Sequence, residues 1–167
     1  MASNPLHTLE QCGQSIWLDS LSRGLIHSGT FLRLVQEDGI SGVTANPSIF
    51  EKAIVDSHDY DESIRAPGAA GHPPIRIYED LAIQDVGAAA DILRATYDRH
   101  EAVDGFASIE VSPDLAHDTR ASIDEARQFW RELDRPNVMV KIPATPEGIP
   151  AIEQLTADGI NVKWKRG

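Results

Sequence analysis

Short apolar runs alternate along this chain with longer stretches of helical periodicity. Ser15-Ile16-Trp17-Leu18-Asp19 reads as a first strand. Thr30 to Asp38 follows as a helix, with Phe31, Leu34 and Val35 on one face and Gly39 as its stop. Gly42-Val43-Thr44-Ala45-Asn46 is a second strand, ended by Pro47. Asp56 to Pro74 is rich in charge, Gly, Ala and Pro and reads as a surface excursion, partly helical at most. Glu79 to Arg99 is a strong helix, because Ala82, Val86, Ala89, Leu93 and Tyr97 recur on one face. Gly105 to Val111 is a third strand, and Thr119 to Leu133 a helix carrying Ile123, Ala126, Trp130 and Leu133. Val138 to Thr145 is a fourth strand, stopped at Pro143. Thr145 is placed to cap the next helix, with Pro146 at its first position. Gly159-Ile160-Asn161-Val162 opens a fifth strand. The connections are too long for hairpins, so the strands are parallel and the fold is α/β.

Within the fourth strand, Val138-Met139-Val140-Lys141-Ile142-Pro143-Ala144-Thr145, the lysine is out of place. A strand inside a parallel sheet is expected to be apolar on both faces. An ammonium taken out of water is costly unless it is paired or gives up its proton, and a neutral lysine is a nucleophile toward carbonyls. Asp19, Asn46, Glu110 and Lys141 stand at or near the ends of four successive strands. In a parallel sheet those ends share one side, and in a (β/α)8 barrel that side carries the active site. An amine that forms an imine, a carboxylate that moves a hydroxyl proton, a second that holds water and an amide that fixes a hydroxyl suffice for a Schiff-base aldol reaction. Each residue also has a plainer reading. Lys141 can be solvated or salt-bridged, Asp19 can cap a turn, Asn46 before Pro47 can form one, and Glu110 can pair with a neighbouring cation.

Composition narrows the partners. The 167 residues hold 15 Lys and Arg against 26 Asp and Glu, a net charge of −11, which disfavours nucleic acid and anionic membrane surfaces. An anionic small substrate stays open, since a local cluster can bind one within an acidic protein. Cys12 is the single cysteine, which rules out an internal disulfide framework and fits a reducing, cytoplasmic setting. Met1 to Glu10 has no apolar core of a secretory signal, and no run approaches membrane-spanning length. The six histidines lack metal-ligand spacing, so no metal is expected. No Gly-rich or Walker-type phosphate loop is present, which argues against nucleotide binding. Trp17 and Trp130 read as core residues, and Cys12 as inert.

These segments resemble transaldolase. The resemblance rests on Ile16-Trp17-Leu18-Asp19, Val43-Thr44-Ala45-Asn46-Pro47-Ser48, Ser108-Ile109-Glu110-Val111 and Val140-Lys141-Ile142-Pro143-Ala144-Thr145, followed by Glu147-Gly148 and Gly159-Ile160-Asn161-Val162, all in order. It runs from about Leu9 to Val162 and looks closest to the longer bacterial type. It implies that Lys141 forms the Schiff base with the dihydroxyacetone unit of a ketose phosphate. It further implies that Asp19 is the acid/base of carbon–carbon cleavage, that Glu110 acts through a water, and that Asn46 binds substrate. No cofactor or metal is implied, and the partners are sugar phosphates of the pentose phosphate pathway.

The family continues its fifth strand as Asn-x-Thr, then Leu, Leu and Phe, where this chain has Lys163-Trp164-Lys165-Arg166-Gly167. The later strands, which in the family carry the serine and arginine that hold the substrate phosphate, have no counterpart. The expectation is a transaldolase-like half-barrel over 1–162 and a basic tail over 163–167 outside the family pattern. That makes a partial (β/α)8 barrel of four βα units and the start of strand five, against about 250 residues for a whole one. A frameshift, a truncated gene or a fragment would produce such a change, and it leaves open whether the truncated chain is active or inactive. The alternatives are a non-catalytic fragment of the fold and another Schiff-base sugar-phosphate aldolase. Two open sheet edges invite association. The purified chain is therefore expected to self-associate or to melt without cooperativity. Light scattering coupled to size exclusion, with a thermal scan, checks this; a compact monomer with one sharp transition would refute it.

Overall fold

The computed structural model describes residues 4–165. Five parallel strands form one sheet in chain order: β1 (Trp17–Leu18), β2 (Gly42–Thr44), β3 (Phe106–Glu110), β4 (Val138–Pro143) and β5 (Val162–Lys165). Each strand pairs with the next, so every connection is a crossover on the same side. The helices are α1 (Pro5–Gln11), α2 (Arg23–His27), α3 (Thr30–Glu37), α4 (Pro47–Val55), α5 (Asp61–Ala69), α6 (Pro74–Arg99), α7 (Thr119–Leu133) and α8 (Gly148–Ala157). A short 3-10 turn, Pro113–Leu115, follows β3. The α/β reading and the sequential parallel order of a partial barrel both hold.

The core lies between the sheet and the helices. Val138, Val140 and Ile142 alternate with half-buried Met139, Lys141 and Pro143 along β4. Period two thus puts the apolar set against the helices and the other set on the opposite face. The expectation of a strand apolar on both faces is corrected here: only the helix-covered face is sealed. Val43, Ala107 and Ile109 complete that layer, met by Ala82, Val86, Ala89 and Leu93 of α6 and by Ala126 and Leu133 of α7. α6 begins at Pro74, ahead of the expected Glu79, because proline at a first helical position loses no hydrogen bond.

Three other expectations change in detail. β1 is two residues rather than five, with a neighbour only on the β2 side. The segment from Asp56 to Pro74 contains α5, and Tyr60 at its head is fully buried rather than part of a surface excursion. Lys163 onward, set apart as a basic tail, continues β5 as far as Lys165. Arg166 and Gly167 lie outside the described residues, as do the first three of the N-terminal segment.

Tyr60 is held by a polar network that sequence patterning missed. Arg23, 7 % exposed, donates from Nε to Asp85 Oδ1 at 3.0 Å, and the Tyr60 hydroxyl donates to Asp85 Oδ2 at 2.8 Å. The Arg23 backbone N–H donates to the Tyr60 hydroxyl at 2.8 Å, and its guanidinium also reaches Ser63 and Gln84. The guanidinium carbon lies 4.7 Å from the Tyr60 ring centroid. Burial pushes the Asp85 carboxyl up, while the bonds from Tyr60 and Arg23 pull it back. The network ties α2, the head of α5 and the middle of α6 together. Removing one partner of a buried pair strands the other's charge. Asp85→Ala is therefore expected to lower stability by about 3–5 kcal/mol, measured by urea unfolding.

Candidate functional site

The parallel order brings the carboxyl ends of all five strands to one side. On the sheet face away from the core, Glu110 and Lys141 are partners in the β3–β4 register. Lys141 Nζ donates to Glu110 Oε2 at 2.7 Å, with the two side chains 13 % and 17 % exposed. Of the two ways to place a lysine in a strand, the structure uses pairing. The loss of water around both charges is offset by a short charge-assisted bond. Ser108, two residues before Glu110 and therefore on its face, is buried with its hydroxyl unpartnered.

Asp19 follows β1 directly and is exposed. Asn46 follows β2 at one residue's remove and caps α4: its Oδ1 accepts from the Ser48 N–H at 3.1 Å and from the Ser48 hydroxyl at 2.9 Å. The turn-forming reading of Asn46 is thus realised. Its amide nitrogen takes no part in the cap. Glu110 and Lys141 are in direct contact; Asp19 and Asn46 stand on the same side of the sheet without a bond to that pair among the described residues.

The turn after β4 is shaped by Thr145 and Gly148. Thr145 Oγ1 accepts from the Gly148 N–H at 2.9 Å, and its hydroxyl donates to the Ala116 carbonyl in the turn after β3. The expected helix start is corrected here: Thr145 closes the turn ahead of α8, which begins at Gly148 with Glu147 at its N-cap, so Pro146 lies in the turn and not at the first helical position. A Cβ at Gly148 would lie 1.9 Å from the Pro143 carbonyl oxygen, so this return admits no side chain.

Two neighbours escaped the sequence reading. Tyr78 of α6 has its phenol pushed up to about 12 by burial, with Glu51 and Glu110 adding to the effect. Lys163 is the register partner of Lys141 on β5, and its Nζ lies 3.5 Å from the centroid of the Trp17 ring. Burial and the Lys141 charge push the Lys163 ammonium down, and Asp19 opposes them. Trp17 is accordingly no ordinary core residue. It is half-buried, and a Cβ at Gly42 would lie 2.4 Å from its ring atoms. Periodicity gave no signal for Lys163, because the register between β4 and β5 that sets it beside Lys141 is a property of the folded sheet.

A separate cleft lined by His7, Glu10, Val35, Gly39 and Arg99 lies by the amino-terminal ends of the strands and holds none of these residues. Among the described residues no cluster of three or more His, Cys, Asp or Glu could hold a metal ion. No helix among them is long and apolar enough to cross a membrane.

Sequential βα units with a lysine–carboxylate pair near their carboxyl ends place the chain in the class of (β/α)-barrel proteins, here with five strands. The family described as Transaldolase/Fructose-6-phosphate aldolase matches residues 16–164, and the chain belongs to it. It is 51 % identical over 162 residues to Transaldolase 2 of Nostoc sp., covering 97 % of this chain and 42 % of that relative. It is 44 % identical to the Transaldolase of Trichodesmium erythraeum, over 97 % of this chain and 43 % of that protein. Against the Transaldolase of Mycobacterium bovis the identity is 43 %, over 96 % and 43 %. The chain therefore spans less than half the length of these curated relatives.

The cap and the free amide of Asn46 are separable. Asn46→Ala is expected to cost about 0.5–2 kcal/mol by loss of the N-cap. Asn46→Asp should keep that stability while lacking the amide donor. Chemical denaturation of the two variants checks this; equal losses would place the stabilisation elsewhere.

Proposed function

We propose that the chemistry of this chain is transaldol transfer through a Schiff base on Lys141. The amine adds to the carbonyl carbon of a ketose phosphate, and the carbinolamine loses water to give an iminium. Asp19 takes the proton of the hydroxyl on the far carbon of the bond to be broken, which becomes the aldehyde carbon. That bond then breaks and the aldose phosphate departs, leaving a three-carbon enamine on Lys141. Addition of the enamine to an acceptor aldehyde, with Asp19 returning the proton, reverses these steps. Glu110 positions the water that forms and hydrolyses the imine, and the Asn46 amide holds a substrate hydroxyl. The substrates are sedoheptulose 7-phosphate and glyceraldehyde 3-phosphate, the products erythrose 4-phosphate and fructose 6-phosphate, and no cofactor takes part. The setting is the pentose phosphate pathway in the cytoplasm.

The observation that carries this reading is the 2.7 Å contact between Lys141 and Glu110 at adjacent strand ends. It leaves an amine and a proton-transfer group against each other on the uncovered face of the sheet. The same face and the β1 and β5 edges supply a surface for a second copy of the chain, as two unpaired strand edges invite.

A second reading comes from the family's own description, which pairs transaldolase with fructose-6-phosphate aldolase. In that case the enamine is protonated at carbon, and water adds to the resulting iminium and displaces the Lys141 amine, freeing dihydroxyacetone. Borohydride reduction in the presence of fructose 6-phosphate is expected to fix a three-carbon adduct on Lys141, read by peptide mass spectrometry, and to fix none in Lys141→Arg. Absence of the adduct at Lys141 would defeat both readings. Release of free dihydroxyacetone without need of an acceptor would favour the aldolase.

A further inference from the structure

Lys163 has surroundings that no role above accounts for. Its side chain is half-buried beside Lys141 on the neighbouring strand, and its Nζ lies over Trp17, 3.5 Å from the ring centroid. Lys141 has a carboxylate partner, Glu110, while Lys163 makes no ion pair among the described residues. The charged groups that act on it come from two elements, Lys141 on β4 and Asp19 after β1, and Lys141 is itself engaged by Glu110 of β3. The indole face favours the cation. Loss of water and the adjacent Lys141 charge act the other way and disfavour it, with Asp19 in partial opposition. A lysine beside another cation and partly out of water is in the setting that activates an amine toward carbonyls.

We propose that Lys163 is a second imine-forming amine, taking short anionic aldehydes on the uncovered face of the sheet. The neutral Nζ adds its lone pair to the aldehyde carbon, and the nitrogen proton passes to the new alkoxide. The carbinolamine hydroxyl then leaves as water, giving the C=N bond. The Lys141 ammonium, in register with Lys163, draws the anionic end of the aldehyde, and the Trp17 face shields the imine from one side. The site does not require transaldol transfer at Lys141.

The test uses the 167-residue chain, glyoxylate as the aldehyde and cyanoborohydride to reduce the imine to a stable secondary amine. Peptide mass spectrometry follows Lys52, Lys141 and Lys163 separately from pH 6 to 9. Lys163 is expected to label at lower pH than exposed Lys52, and Lys163→Arg to remove that signal alone. In Lys141→Gln a neighbouring cation is lost and Glu110 is freed. Both changes favour the charged Lys163, so its labelling should move to higher pH. Labelling of Lys163 no earlier than Lys52, or a profile unmoved by Lys141→Gln, overturns the proposal. The readout at Lys163 is distinct from the fructose 6-phosphate adduct at Lys141, so either reading can fail alone.

Discussion

Glu110 meets Lys141 because β3 and β4 pair in parallel with those two residues as partners. A slip of one residue would turn one of them toward the helices, where Ile109, Val140 and Ile142 are sealed. There a charge would have no water and no partner. The apolar layer under the sheet and the ion pair above it are thus two results of one register. The helices enforce that register by burying one face, and it leaves the polar residues together on the other.

The Arg23 network supports the same side of the sheet from below. Asp19 leads from β1 into α2, whose first residue is Arg23. Arg23 is fixed by its bonds to Asp85, Ser63 and Gln84. The loop that carries an exposed acid is thereby anchored four residues on by a buried base. α6 holds the other end of the anchor through Asp85 and contributes Tyr78 beside Glu110. One long helix therefore links the polar core to the strand ends.

Much of this was legible in the chain. Period two and helical spacing located the strands and the long helices, and proline and glycine marked their ends. Strand-end position alone assembled Asp19, Asn46, Glu110 and Lys141 on one side. What periodicity could not show was pairing between elements far apart in sequence. Arg23, Tyr60 and Asp85 look like ordinary surface residues until α2, α5 and α6 pack together. Lys163 was hidden differently: a basic run reads as a solvated tail, and only the β4–β5 ladder puts its side chain beside Lys141. Asn46 was ambiguous because the same side chain caps a helix and faces the strand ends.

Gly42 has no side chain, and its place under the Trp17 ring gives that lack a long reach. The ring packs against β2 at Gly42, where any Cβ would collide with it. The Lys163 ammonium, from the far edge strand, lies over the same ring. Three strands, β1, β2 and β5, are thereby stacked through one indole across the hollow of the sheet. One indole thus joins the first strand of the sheet to the last, and it can sit there because the residue beneath it has no side chain.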